Sequence, residues 1–225
     1  MVSPDTALRR LLRETGKLLR PYGFEGEEPT WSRVESGGVA RVGRTRVART
    51  WTDGQQRIAF GLTLDAVPVA WWEYRTWLAT RRGLPSTPLE ETTGPGLVTA
   101  PPSFEAGALW TIGVDPEQPG HARQDDVEAI RDRLRHHVHG HARAALRLLD
   151  PEFHVEALLD ITDPTPRVWE AVVVLLAADG PSARLEEAVR RLRHSAADRE
   201  SVEQAVAYAE ERAGASREFA RTDGR

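Results

Sequence analysis

Four histidines fall within nine residues of "RHHVHGHAR", 135–143. Imidazole binds transition metals, moves protons near neutral pH and responds to acid. Which of these a tract can do depends on which rings share a face. On a helix His137 and His141 lie one turn apart on one side, at the i, i+4 spacing of metal-binding helices. His136 and His139 point to the opposite half. A zinc-protease motif would place glutamate directly after the first histidine, where this chain has Val138. A third ligand would have to come from Asp125, Asp126, His121 or His154. Three readings stay open: a metal pair at His137 and His141, a pH-responsive contact, or a helix whose His141 packs at the core edge while the other rings are solvated. Gly140 costs about 1 kcal/mol against alanine in a helix and predicts a kink there.

Arginine supplies the second candidate chemistry. Arg33, Arg41, Arg44, Arg46, Arg49 and Arg57 face only Glu35 and Asp53 along the same stretch. In "RTRVART", Arg44 and Arg46 share one strand face, and Arg49 shares the other with Val47 and Trp51. A basic sheet face with an aromatic beside it suits single-stranded nucleic acid, by charge and stacking. However, Lys17 is the only lysine among 30 basic residues. Arginine is therefore this chain's default cation, and its enrichment says correspondingly less.

Tryptophan supplies the third. In "VAWWEYRTWLATRR" (69–82) Trp71, Tyr74 and Leu78 share a helical face, while Trp72 lies about 100° away from Trp71. Aromatics on two faces of one helix predict that Trp72 and Trp77 meet a partner rather than the core. Enzyme motifs are missing: there is no phosphate-binding glycine loop, no GxGxxG after a strand and no GxSxG elbow. Glu90-Glu91 and Asp125-Asp126 are sequence neighbours whose side chains diverge, unlike an acid–base pair.

The 225 residues carry a net charge of −4 and no cysteine. Disulfides, thiolate metal sites and cysteine nucleophiles are excluded together. A cytoplasmic location, no signal peptide, no membrane partner and no cofactor are the expectations that follow.

These candidates must be carried by elements. Ser3, Pro4 and Asp5 start a helix whose Leu8, Leu11, Leu12, Thr15, Leu18 and Leu19 share one face; Pro21 and Gly23 end it. The period then drops to two. Residues 30–35, 44–52 and 57–65 read as strands of an antiparallel meander, with turns at Gly37-Gly38 and Asp53-Gly54. After the tryptophan helix comes a proline- and glycine-rich loop, 83–107, of a length that marks function or disorder. One more strand fits 108–114. From Asp125 the chain reads as helices, with starts at Asp150-Pro151 and Thr165-Pro166. The predicted fold class is α+β: an N-terminal helix packed on a curved antiparallel sheet, followed by a helical C-terminal half. The predicted division is 1–124, 125–214 and a frayed tail, 215–225.

The same order resembles a bacterial family known as domain of unknown function 4304. "LLRPYGFEGEEPTWSRVE", "RIAFGLTLDAVP", "LWTIGVD" and the helix ending in "LRLLDPE" carry the likeness, over roughly residues 7 to 160. The chain is similar to an actinobacterial member with a C-terminal helical extension. The resemblance implies a helix, a curved antiparallel sheet and C-terminal helices, and it implies no activity. The leading expectation is a non-catalytic protein-binding or accessory module, with Trp72, Trp77, Arg44 and Arg46 at the partner site. The alternatives are a metal-dependent enzyme using His137 and His141, and a single-stranded nucleic-acid binder using the sheet arginines.

Overall fold

A computed structural model describes residues 2–52, 55–105, 107–195 and 198–222. The Asp53-Gly54 turn lies outside the described residues. The chain is α+β, with an N-terminal helix, antiparallel strand pairs and a helical C-terminal region. It divides into two compact units, each assembled from three segments. Unit 1 holds Met1–Val34, Ala40–Asp65 and Thr99–Leu146; unit 2 holds Glu35–Val39, Ala66–Val98 and Arg147–Arg225.

Unit 1 begins with helix α1, Pro4–Leu19. The Ser3 hydroxyl accepts from the Thr6 amide, as its capping sequence predicts. Leu8, Leu11, Leu12, Thr15 and Leu19 are buried, and the polar face carries Arg9, Arg13 and Lys17. The strands are β1 (Glu25–Glu27), β2 (Thr30–Glu35), β3 (Gly38–Arg44), β4 (Ala48–Thr52), β5 (Gln55–Phe60) and β6 (Leu62–Pro68), with β7 at Trp110–Ile112. They form two sheets rather than one meander, in the orders β1-β2-β3-β6 and β4-β5-β7.

The two predicted long strands are each broken, and one contact explains both breaks. Thr45 donates its amide to the Gly61 carbonyl at 3.0 Å, and its hydroxyl accepts the Gly61 amide at 2.8 Å. Both residues thereby leave their ladders. Residues 38–44 and 48–52 separate into β3 and β4, and 55–60 and 62–68 into β5 and β6 of different sheets. The alternation of Ile58, Phe60, Leu62 and Leu64 holds across the break, and all four are buried. Helix α3, Gln124–Arg147, buries Val127, Ile130, Leu134, Val138, His141, Ala142 and Ala145.

Unit 2 is mostly helical: α2 (Val69–Arg81), α4 (Pro151–Leu159), α5 (Pro166–Ala177), α6 (Ala183–His194) and α7 (Arg199–Thr222). Its core gathers Trp71, Tyr74 and Leu78 of α2 with the almost wholly apolar α5 and with Leu185, Leu192, Tyr208 and Ala209. A helix apolar all round must be enclosed, and α5 buries nine consecutive or near-consecutive residues from Val168 to Ala177. Asp150 caps α4 by accepting the Glu152 and Phe153 amides. Helix α7 continues past residue 215, where the sequence predicts a frayed tail, and residues 223–225 lie outside the described residues. No described helix is long and apolar enough to cross a membrane.

Candidate functional site

The histidine tract lies on α3 as the helical spacing predicts, and its four rings do not converge. His139 faces Tyr22, whose hydroxyl is 3.0 Å from its Nδ1. His141 is buried, with Nδ1 2.7 Å from the His137 carbonyl one turn earlier. His136, His137 and His141 all pack around one ring, Phe104. Its centroid lies 4.2 Å from that of His137, nearly parallel, and 5.6 Å from that of His141. Trp110 closes the other side of His137 at 5.1 Å, edge-on. Burial, followed by the neighbouring His141 and His136 charges, pushes the His137 imidazole down; burial does the same to His141. Both shifts favour the neutral form of the ring.

Two of the other proposed metal ligands, Asp126 and His154, are used otherwise. Asp126 accepts the Gly113 amide at 2.8 Å, and His154 belongs to unit 2 with Nδ1 2.9 Å from the Leu148 carbonyl. Among the described residues no three histidine, aspartate or glutamate side chains come together in a way that could hold a metal ion.

Gly140 has its reason in the same contact. A Cβ there would lie 2.3 Å from Cε2 of Phe104, so the bare backbone makes the ring's seat. Gly140→Ala should destabilise the protein, because the ring must leave. In a Phe104→Ala background the same change should stabilise by about 1 kcal/mol, through helix propensity alone. Urea midpoints of the four proteins measure this. Equal stabilisation in both backgrounds would show that the ring is not seated on the helix.

The α2 tryptophans are tied down rather than free. Trp71 is buried and donates its indole N–H to the Thr93 carbonyl at 3.2 Å. Trp72, half-buried, donates to the Thr87 carbonyl at 2.9 Å. Trp77, also half-buried, donates to Glu211 at 3.0 Å and lies under the Arg81 guanidinium, 4.1 Å from its centroid. The first part of the 83–107 loop is thus fastened along α2 through two indoles. It is an ordered wall with one short 3₁₀ turn, Leu89–Glu91.

The sheet arginines are partly spent on carboxylates. Arg41 bonds Asp65 at 3.0 Å, Arg44 stands 3.5 Å from Glu28 and Arg49 bonds Asp5 at 2.9 Å. Arg46 and Arg57 are exposed and have no carboxylate partner among the described residues. Between them lies the tryptophan whose exposure the helical arguments about α2 do not reach. Trp51 is 71% exposed, on β4, an edge strand of its sheet. Every β4 residue from Ala48 to Trp51 is exposed. Its placement beside arginine is legible in the period-two pattern; its exposure is not, because a lone strand cannot show that nothing covers either face.

No family model matches the chain, and no curated protein and no solved structure is significantly similar to it.

Proposed function

We propose that this chain is a non-catalytic binding module whose partner is a protein, engaged at the edge strand β4. The observation that carries this reading is Trp51, 71% exposed on a strand whose outer side pairs with no described residue. An edge that is merely guarded against aggregation carries charge, proline or a bulge. This one presents a large aromatic as well, the side chain most enriched at binding hot spots. An extended segment added alongside β4 gains backbone hydrogen bonds, while alternate side chains meet Trp51 and the arginines. Arg46 and Arg57 favour a segment with acidic side chains. With Arg44 and Arg49 already facing carboxylates, few cations remain for phosphates, which favours a peptide over a nucleic acid. The resemblance to domain of unknown function 4304 rests on the quoted segments alone and adds no activity to this reading.

The reading moves the partner site from Trp72 and Trp77 to Trp51, with Arg46 kept. An acidic peptide of alternating glutamate and valine, titrated calorimetrically, tests it. Trp51→Ala should leave the unfolding midpoint nearly unchanged and weaken binding by at least tenfold, the effect of about 1.4 kcal/mol. Trp72→Ala should instead lower stability. Unchanged peptide affinity in Trp51→Ala, or tighter binding of a single-stranded oligonucleotide than of the peptide, would overturn the proposal.

A further inference from the structure

Unit 2 contains a cavity of about 320 Å³ beside the aromatic core, with a mainly polar lining. One wall is a stripe of α2 and its C-cap: Trp71, Arg75 and Leu78 on the helix, then the cap residue Arg82, spaced four, three and four residues apart. The facing wall is the segment from Leu84 to Gly94, held to α2 by the Trp71–Thr93 and Trp72–Thr87 bonds. Arg167 completes the lining from the first turn of α5.

We propose that this cavity binds a small molecule through a phosphate monoester group. Two observations point to an anion there. First, Arg75 and Arg167 line one cavity, and neither has a carboxylate partner among the described residues. Arg82, by contrast, is held in place by Gln204 at 2.9 Å, with Glu200 at 3.6 Å. Second, Arg167 sits where a cation is disfavoured. The amino end of a helix is its positive pole, and an arginine there is destabilising unless an anion offsets both. Helix α5 has no acidic residue in its first turn, and Thr165 makes no side-chain cap bond, so the helix start itself supplies no such anion.

The chemistry of the lining favours phosphate over a simple carboxylate. Guanidinium forks pair with the oxygens of either group. A phosphate monoester carries nearly two charges at neutral pH and three terminal oxygens, enough for the forks of two arginines. Glu91, on the same lining, is suited to accept from a hydroxyl or amine elsewhere on the ligand. The volume fits a compact metabolite, being at the lower end of small-molecule sites, which run from roughly 300 to 1,000 Å³. Leu78, Leu84 and Pro85 offer its carbon skeleton apolar contact.

Calorimetric titration of the full chain with inorganic phosphate, phenyl phosphate and succinate tests the site and the group together. One saturable phosphate or phenyl phosphate site per chain is expected, weakening as salt rises and at least tenfold weaker in Arg75→Gln and in Arg167→Gln. Both side chains are exposed, so neither change should disturb folding, and the unfolding midpoint of each variant checks that. Arg193→Gln, an exposed arginine outside the cavity, should bind as the wild type does. No saturable binding of either phosphate, or equal binding by all variants, would overturn the site. Tighter binding of succinate than of both phosphates would overturn the assignment to phosphate.

Discussion

Gly38→Ala is expected to destabilise the protein by about 3 kcal/mol or more, combining backbone strain with steric overlap. Gly38 opens β3 with φ of +138°, a conformation that L side chains rarely adopt. A Cβ at this position would stand 2.0 Å from the Val67 carbonyl oxygen and 3.1 Å from Cα of Pro68. Both are backbone atoms of β6, the neighbour of β3 in its sheet, so no rotamer change relieves the overlap. The adjacent Gly37 is the internal control. Its added Cβ would meet only the Leu149 carbonyl oxygen and Cβ, at 3.5 and 3.6 Å, which is ordinary contact. Urea unfolding with an unchanged slope should show a large fall in midpoint for Gly38→Ala and a small one for Gly37→Ala. Equal effects at the two positions would mean that the close approach to β6 does not constrain the strand.

The second large effect is a loss of stability in acid, set by His154. This ring is buried on α4, and its Nδ1–H donates to the Leu148 carbonyl at 2.9 Å. Burial pushes the imidazole from 6.5 down to about 4, against the smaller opposing effect of that carbonyl. The folded state therefore binds the proton more weakly than the unfolded chain. Above pH 6.5 the ring is neutral in both states and its contribution to stability is fully present. As pH falls from 6.5 towards 4 the unfolded chain takes up the proton first, and stability is lost. The full shift corresponds to a loss on the order of 3 kcal/mol. His137 and His141 are displaced in the same direction and steepen the same limb. Unfolding free energies measured from pH 7.5 to 4 should therefore fall in wild type and fall much less in His154→Asn. Asparagine keeps an N–H donor near the Nδ1 position and cannot titrate there. An acid limb of the same depth in the variant would place the effect elsewhere.

Local signals determined much of this protein. The caps at Ser3 and Asp150, the stops at Pro21 and Gly23, and the apolar stripes of α1 and α3 act over one or two turns. The sequence read alone therefore places those helices and the buried side of each. It also separates His137 and His141 from His139, which meets Tyr22, because helical rotation is independent of what surrounds the helix; that His136 joins the other two around Phe104 is a tertiary contact. The order of elements, and with it the α+β class, followed from the change of hydrophobic period near residue 30 and its return near residue 69.

Tertiary structure decided everything that needed two distant segments. Gly140 reads as a weak point of a helix until Phe104, 36 residues earlier, occupies the space its missing side chain leaves. Trp72 reads as a free aromatic until the Thr87 carbonyl receives its N–H. Residues 57–65 read as one strand, because side-chain alternation survives the break; Thr45 takes the hydrogen bonds of Gly61 and sends the halves to different sheets. Trp51 stands between two threonines and Trp72 between Trp71 and Glu73, and neither setting shows which ring is covered. What separates an edge strand from a covered helix is which backbone and side-chain groups arrive from elsewhere in the chain, and periodicity along one segment carries no information about them.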